Sequence, residues 1–229
     1  ATQTIFSPLI NAGLYLLVFG VSFSAMLKTH EGVSYLEFLV PGLIALSSLN
    51  NALQNSASSI MISKFHGDLQ DLKIIPLSSF SITSAYIIAC IARGLIVAVL
   101  VLAMGELFSY LQSGGWIAVK HPVDFFVFLC MSCALFGNLG ITSGFLAKSF
   151  DQINGFTNFV ILPLIYLGGV FFSLNILNPF WQTVAHFNPV VYVINGIRFS
   201  VLGVSDIGAT SCYLVLGVFV LLTSALAWA

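Results

Sequence analysis

Charged residues are scarce in this sequence. Asp, Glu, Lys and Arg together make up 7% of the 229 residues, whereas hydrophobic residues make up 59%. Soluble domains carry about 25% charged residues because they must present a hydrated surface. The composition therefore excludes an ordinary soluble protein, and a net charge of -1 gives no indication of a nucleic-acid partner.

Long stretches contain no charge at all, and each is long enough to cross a membrane. Residues 125–147 are one such stretch, and a span needs about 20 apolar residues. Backbone amides in lipid must be hydrogen-bonded within their own segment, so these stretches indicate helices. We predict an all-α membrane protein with six transmembrane helices and both termini on one side. The predicted spans are residues 4–27, 36–62, 80–110, 124–147, 153–173 and 207–229.

The uncharged stretch 152–197 holds about twice the residues that one crossing needs. Two Asn-Pro pairs interrupt its second half, and the residue before a proline is disfavoured in helical geometry. We therefore expect the fifth span to stop near Phe172 and a re-entrant element on the outer face to precede the last span. Trp181 suits an interfacial depth. The residues assigned to this element are Asn178, Pro179, Trp181, His186, Asn188, Pro189 and Arg198.

His186 and Arg198 permit two interpretations. Both could meet the head group of an exported substrate near the outer face. A structural role in holding the re-entrant turns is the interpretation that the sequence favours.

Motifs for nucleotide binding and hydrolysis are missing. The sequence contains neither G-x-x-x-x-G-K-[ST] nor H-E-x-x-H, so we expect no catalytic residue, metal site or cofactor in this chain. Cys130 and Cys133 have the spacing of redox and metal sites but lie in an apolar span without a nearby His, which favours a structural role. No internal repeat supports the inverted-repeat architecture of secondary transporters.

The segment Lys64–Pro76 is the most charged part of the chain. Apolar Phe65, Leu69 and Leu72 recur at helical spacing, and so do charged residues on the other side. This pattern predicts a short amphipathic helix on the membrane surface or in the groove of a partner. A solvated connector between two spans is the alternative.

The chain resembles the permeases of ABC-2 type exporters. The resemblance is carried by KFHGDLQDLKIIP at 64–76 and by YLGGVFFSLNILNPFWQTVAHFNPVVYVINGIRFSVLG at 166–203. It implies a homodimeric permease in a bacterial cytoplasmic (inner) membrane, with two copies of an ATPase subunit that bind ATP and Mg²⁺. The family's amphipathic N-terminal helix would precede Ala1, and both ends of the chain look truncated. The coupling residues that the resemblance implies are Lys64, Phe65, His66, Gly67, Asp68, Leu69, Asp71, Leu72 and Pro76.

Arg93 and Glu106 are charged residues inside the third predicted span. Thirteen positions along a helix are about 20 Å, so the two side chains cannot pair within that helix. An intramembrane charge is a functional candidate by default. Arg93 is expected either to bond carbonyls of neighbouring helices or to face a hydrated path.

The expected function is therefore export of an amphipathic or lipid-like substrate, such as a drug, a lipid-linked sugar or a polysaccharide. Two other classes remain open. One is a channel or secondary transporter that works without ATP, and the other is an intramembrane enzyme acting on lipid.

Overall fold

The computed structural model describes residues 2–21, 34–68 and 78–228, and all regular structure within these residues is helical. The prediction of an all-α protein is confirmed for this part of the chain. The helices are α1 (Thr2–Tyr15, continued as a π-helix over Leu16–Val21), α2 (Tyr35–His66), α3 (Ser79–Ser113), α4 (Pro122–Leu146), α5 (Phe150–Phe156, Thr157–Ile161 and Leu162–Leu167 in succession), α6 (Pro179–His186), α7 (Pro189–Leu202) and α8 (Ala209–Trp228).

Helix α2 is the centre of the bundle. It packs against α3, α4 and α7, and most of its first 27 residues are buried in the core. Leu43, Ile44 and Leu49 are fully buried there. A membrane helix whose surface is covered by neighbouring helices does not face lipid, so its side chains can serve packing and function rather than lipid contact.

Four of the described helices are long and apolar enough to cross a membrane: α2, α3, α4 and α8. They correspond to the second, third, fourth and sixth predicted spans. The described part of the first predicted span falls on α1 and the fifth on α5, and each of these helices is π-helical over part of its length. Two shorter apolar helices are Phe6–Gly20 in α1 and its continuation, and Pro189–Leu202, which is α7. The count of six crossings therefore stays a prediction.

The fifth helix ends earlier than the sequence indicates. Its last helical residue is Leu167 rather than a residue near Phe172. Gly169 adopts a left-handed conformation at φ 89°, which reverses the chain. A Cβ at Gly168 would lie 2.9 Å from side-chain atoms of Ile194 and Val190, so α7 packs tightly against this turn.

The bundle has two ends, the Lys64 end and the Asp206 end. At the Lys64 end, the last turn of α2 contacts the last turn of α4. At the Asp206 end, the backbone of His121, before α4, donates a 2.9 Å hydrogen bond to the Ser200 carbonyl of α7. The chain leaves α5 and enters α8 at the Asp206 end, and α6 and α7 lie between these two points.

Candidate functional site

A polar stripe runs along one side of α2 over the middle of the helix. Its residues are spaced three or four apart, which places them one above another on a single helix face. No residue of the stripe is charged, so counting charges does not reveal it. The stripe consists of Ser47, Asn50, Asn51, Gln54, Asn55, Ser58 and Ser59.

This stripe forms the floor of a groove with a volume of about 970 Å³. Helices α1, α3 and α5 supply its walls. The volume lies at the upper end of the range for small-molecule sites, about 300–1,000 Å³. The walls contribute Ser7, Pro8, Asn11, Leu14, Tyr15, Val18, Phe19, Arg93, Leu162 and Tyr166, and α2 adds Leu46 and Ile62 to its polar stripe.

Arg93 is the one charged residue among the described residues that line the groove. It lies fourteen residues after Ser79 in α3, about 21 Å along the helix. Its Nη1 donates a 3.1 Å hydrogen bond to Oδ1 of Asn55. Asn55 in turn donates from Nδ2 to the carbonyl oxygen and the Oδ1 of Asn51, both at 2.8 Å. The Asn51–Asn55 pair therefore orients the amide that holds the guanidinium in the groove.

Aromatic side chains close the groove towards the Asp206 end. The hydroxyl groups of Tyr15 and Tyr166 lie 3.0 Å apart and share a hydrogen bond that joins α1 to α5. The ring of Phe171 lies 5.6 Å from Tyr15 and 4.9 Å from Phe19, centroid to centroid. Tyr35 of α2 donates a 3.1 Å hydrogen bond to the Phe171 carbonyl and fixes this cluster to the core. The rings of Tyr15, Phe19, Tyr166 and Phe171 form an aromatic cluster at this end.

Lys64 lies at the other end of the groove-bearing helix, in a role the sequence does not reveal. Its ammonium group donates to three carbonyls at the C-terminus of α4, at 3.1 Å to Gly144, 2.5 Å to Phe145 and 2.9 Å to Ala147. Carbonyls of a helix's last turn lack intrahelical partners, and a cation there complements the helix dipole. Lys64 therefore clamps α2 to α4.

The predicted coupling segment begins inside α2 rather than as a separate helix. Lys64, Phe65 and His66 form the last turn of α2, and Gly67 ends it at φ 85°. The left-handed conformation of Gly67 ends the helix that holds Phe65, and whether Phe65 shares a helix face with Leu69 and Leu72 stays a prediction. Phe65 stacks on Phe150 at 5.8 Å. Asp68 is exposed, and Leu69, Asp71, Leu72 and Pro76 lie outside the described residues.

The residues of the predicted re-entrant element act mainly as helix caps. Asn178 caps α6 by accepting a 3.3 Å hydrogen bond from the Phe180 amide, with Pro179 at the first helical position. Asn188 caps α7 by accepting from Val190 at 3.0 Å, with Pro189 next to it.

Other contacts attach these two short helices to their surroundings. The amide of Asn188 also donates a 2.6 Å bond to the Leu164 carbonyl of α5. Trp181 and His186 are exposed, and the His186 carbonyl accepts a bond from the Tyr192 hydroxyl. The polar side chains thus define where α6 and α7 begin, and Asn188 fixes α7 to α5.

Arg198 is buried at the centre of a network that sequence reasoning missed. Its Nη2 donates a 2.9 Å bond to the Gly169 carbonyl, and its guanidinium lies 3.8 Å above the ring of Phe38. Asp206 approaches it to 4.0 Å. Burial lowers the pKa of Arg198 to about 10 and the neighbouring Asp206 opposes this shift, so the group stays charged at neutral pH.

Asp206 ties the turn after α5 to the segment before α8. Its carboxylate accepts bonds from the Ser173 hydroxyl at 2.6 Å, the Leu174 amide at 2.8 Å and the Asn175 side chain at 3.1 Å. Its own amide donates to Asn195 at 3.0 Å. The partners lie 11 to 33 residues away, and no local motif marks them in the sequence.

Comparison with known proteins decides the family. The model of the ABC-2 type transporter family matches residues 1–202. Inner membrane transport permease YadH of Escherichia coli K12 is 38% identical over 226 residues, covering 99% of this chain and 86% of that protein. The chain belongs to the ABC-2 type transporter family.

More distant relatives agree with this assignment. Nodulation protein J of Neorhizobium galegae is 24% identical over 96% of this chain and 84% of its own length. Putative transport permease ycf38 of Cyanophora paradoxa is 25% identical over 86% of this chain and 67% of its own length. The family is that of ABC transporter permeases, and the chain is a multi-pass inner membrane protein. The predicted family and location are thus confirmed.

The remaining intramembrane candidates of this ABC-2 permease are placed apart from one another. Glu106 is half-buried in α3, and the ion pair found among the described residues joins Arg198 to Asp206, not Arg93 to Glu106. Cys133 is buried beside Cys90, whose thiol lies 3.5 Å from the Cys133 carbonyl. Within the described part of the chain, no three His, Cys, Asp or Glu side chains could together hold a metal ion.

Proposed function

We propose that this ABC-2 permease exports an amphipathic or lipid-like substrate through the polar groove. The observation that carries the proposal is a stripe of amides and hydroxyls facing a cavity of about 970 Å³ inside otherwise apolar helices. Polar groups at membrane depth are costly unless they face a hydrated or liganded space. Leu14, Val18 and Leu162 line the same groove and offer apolar contact for a tail.

Energy enters, in this proposal, from a separate ATPase subunit that binds ATP and Mg²⁺ and docks on the segment 64–76. Family membership implies an ABC-type ATPase partner. Two permease chains and two ATPase subunits form the complete exporter. The clamp from Lys64 to α4 supports this role, because a displacement of the segment would be transmitted directly to α2 and α4.

The experiment uses the permease co-expressed with its ATPase and reconstituted in liposomes. Transport of candidate drugs, lipid-linked sugars and polysaccharides is followed with ATP and with a non-hydrolysable analogue. ATP-dependent transport of one class supports the proposal. Transport that proceeds equally without nucleotide would establish the channel or secondary-transporter alternative instead. Native mass spectrometry measures the number of each subunit.

A groove variant and a matched control test the pathway itself. Asn55→Leu removes an amide that lines the groove, whereas Asn158→Leu makes the same change at an exposed site on α5 outside it. Asn55 also holds the charged guanidinium of Arg93, and a hydrogen bond to a charged group is worth about 1.5–3 kcal/mol, so we expect transport to be about tenfold slower or more for Asn55→Leu alone. Equal rates for the two variants would place the pathway elsewhere.

A further inference from the structure

The groove carries a single positive charge that no described side chain neutralises. Among the residues lining it, Arg93 is a cation and none is a carboxylate. Within the described residues, the one ion pair lies at Arg198 and Asp206. Arginine stays protonated at any physiological pH. Within the described part of the chain, the groove therefore holds a permanent cation that no carboxylate neutralises.

Most N–H donors of the Arg93 guanidinium have no hydrogen-bond partner among the described residues. The guanidinium carries five N–H donors, and within the described residues it makes one hydrogen bond, from Nη1 to Asn55. The side chain is exposed rather than covered by the bundle. The Asn51–Asn55 pair fixes the orientation of the amide that receives this bond, and Arg93 itself lines the groove. A planar fork of donors in this setting matches the geometry of a carboxylate or phosphate.

We infer that the groove selects amphiphiles with an anionic head group and that Arg93 binds the anion. The inference rests on the proposed function, since it names the substrate class for the same groove. The neutral amides and hydroxyls of α2 accommodate the polar part of the head group. Leu14 and Val18 face its apolar tail. Arg93 lies about 21 Å along α3 from Ser79, and its charge is then neutralised by the ligand rather than by a carboxylate of the protein.

Binding is tested without ATP, on the purified permease–ATPase complex in nanodiscs of neutral lipid. The probes are a photoreactive dodecyl phosphate and a photoreactive dodecyl glucoside with the same chain. Labelling of peptides covering residues 46–62 is measured by mass spectrometry. We expect the phosphate probe to label the wild-type groove at lower concentration than the glucoside. Equal half-saturating concentrations for the two probes would overturn the inference.

Three variants separate the charge of Arg93 from its packing. A hydrogen bond to a charged group is worth about 1.5–3 kcal/mol, so Arg93→Gln should weaken phosphate labelling about tenfold or more and leave glucoside labelling within about twofold. Arg93→Lys should fall between wild type and Arg93→Gln. Lys148→Gln removes the same charge at an exposed site outside the groove and should behave as wild type. Unchanged phosphate labelling in Arg93→Gln would refute the inference.

A further variant covers the case in which Arg93→Gln does not fold. Asn55→Asp places a carboxylate at the oxygen that already lies 3.1 Å from the guanidinium. This internal counter-ion should suppress phosphate labelling while Arg93 remains in place. Persistent labelling would contradict the inference.

Competition distinguishes the sources of the anion. Excess inorganic phosphate should leave dodecyl phosphate labelling unchanged, because the tail contributes to binding. Competition by inorganic phosphate alone would show a free-anion site and overturn the amphiphile assignment. If labelling shows the expected charge dependence but no ATP-driven transport is found, the proposed function fails and the anion site stands. ATP-driven transport together with labelling that does not depend on charge would support the proposed function and overturn the anion site.

Discussion

At the scale of single residues, the most consequential side chain outside the groove is Asp206. It lies 4.0 Å from the buried guanidinium of Arg198 and accepts three further hydrogen bonds from residues 173–175. Removing one partner of a buried pair leaves an uncompensated charge, which is more damaging than the loss of the pair itself. The turn after α5 therefore depends on this carboxylate.

We expect Asp206→Ala to destabilise the protein by about 3 kcal/mol because it leaves Arg198 buried without its counter-ion. Thermal unfolding of the detergent-purified protein measures the effect. Asp68→Ala, at an exposed position, is the control and should change stability by less than about 0.5 kcal/mol. An unfolding temperature for Asp206→Ala equal to that of the control would show that the network contributes little.

Lys64 is a second single residue with a predicted role, and its substitution is expected to affect the coupling of ATP hydrolysis to transport. Its ammonium group bonds three carbonyls at the end of α4. Lys64→Met keeps the length of the side chain and loses these bonds, so we expect lower coupling between ATP hydrolysis and transport, with about 1 kcal/mol lower stability. The measurement is transported substrate per ATP hydrolysed. Lys148→Met is the matched control, and a ratio equal to that control would leave Lys64 as a helix cap alone.

At the scale of helices, close packing of α2 against α4 rests on two glycines. A Cβ at Gly140 would lie 2.5 Å from the Leu53 carbonyl oxygen, and a Cβ at Gly144 would lie 2.9 Å from that of Ala57. Small residues at this spacing let membrane helices approach closely. The sequence shows the Gly140-x-x-x-Gly144 spacing, but with 19 glycines in the chain such a match is weak until the partner helix is known.

We expect Gly140→Ala to destabilise the protein, since both backbones must shift to admit the methyl group. Gly155 offers a matched control in α5, where a Cβ would meet no atom within 4 Å. Gly155→Ala should be neutral or stabilising by up to about 1 kcal/mol, because alanine is the better helix former. Thermal unfolding again measures the difference. Equal stability of the two variants would contradict tight packing at Gly140.

Charge-free runs predict the helices well but not their ends or their contacts. The second span is predicted to stop at residue 62 because Lys64 follows, yet α2 continues to His66, since the Lys64 side chain reaches the carbonyls of α4. The polar stripe of α2 cannot be found from the positions of charged residues, because its amides and hydroxyls carry no charge. The role of Asp206 cannot be found from its sequence neighbours, because the partners of its carboxylate lie about 30 residues away. Contacts between residues so far apart in the chain cannot be predicted from local sequence patterns.

At the scale of the whole molecule, the direction of the chain through the membrane depends on loop charge. By sequence, Lys64, Lys73 and Lys148 fall at one end and Lys28, Lys120 and Arg198 at the other, which gives no preference. The structure removes Arg198 from this count because its guanidinium is buried beside Asp206. The balance then favours the Lys64 end as cytoplasmic, the end where an ATPase would dock.

Labelling of engineered cysteines tests this orientation in intact cells. Thr183→Cys lies on the exposed surface of α6, and Asp151→Cys is exposed at the Lys64 end. Of the four native cysteines, Cys90, Cys133 and Cys212 are buried and Cys130 is half-buried, so a background without them is used. An impermeant maleimide added outside should modify Thr183→Cys and leave Asp151→Cys unmodified until the membrane is opened. The reverse pattern would invert the topology and exclude ATPase docking at residues 64–76, because that segment would then face away from the cytoplasm.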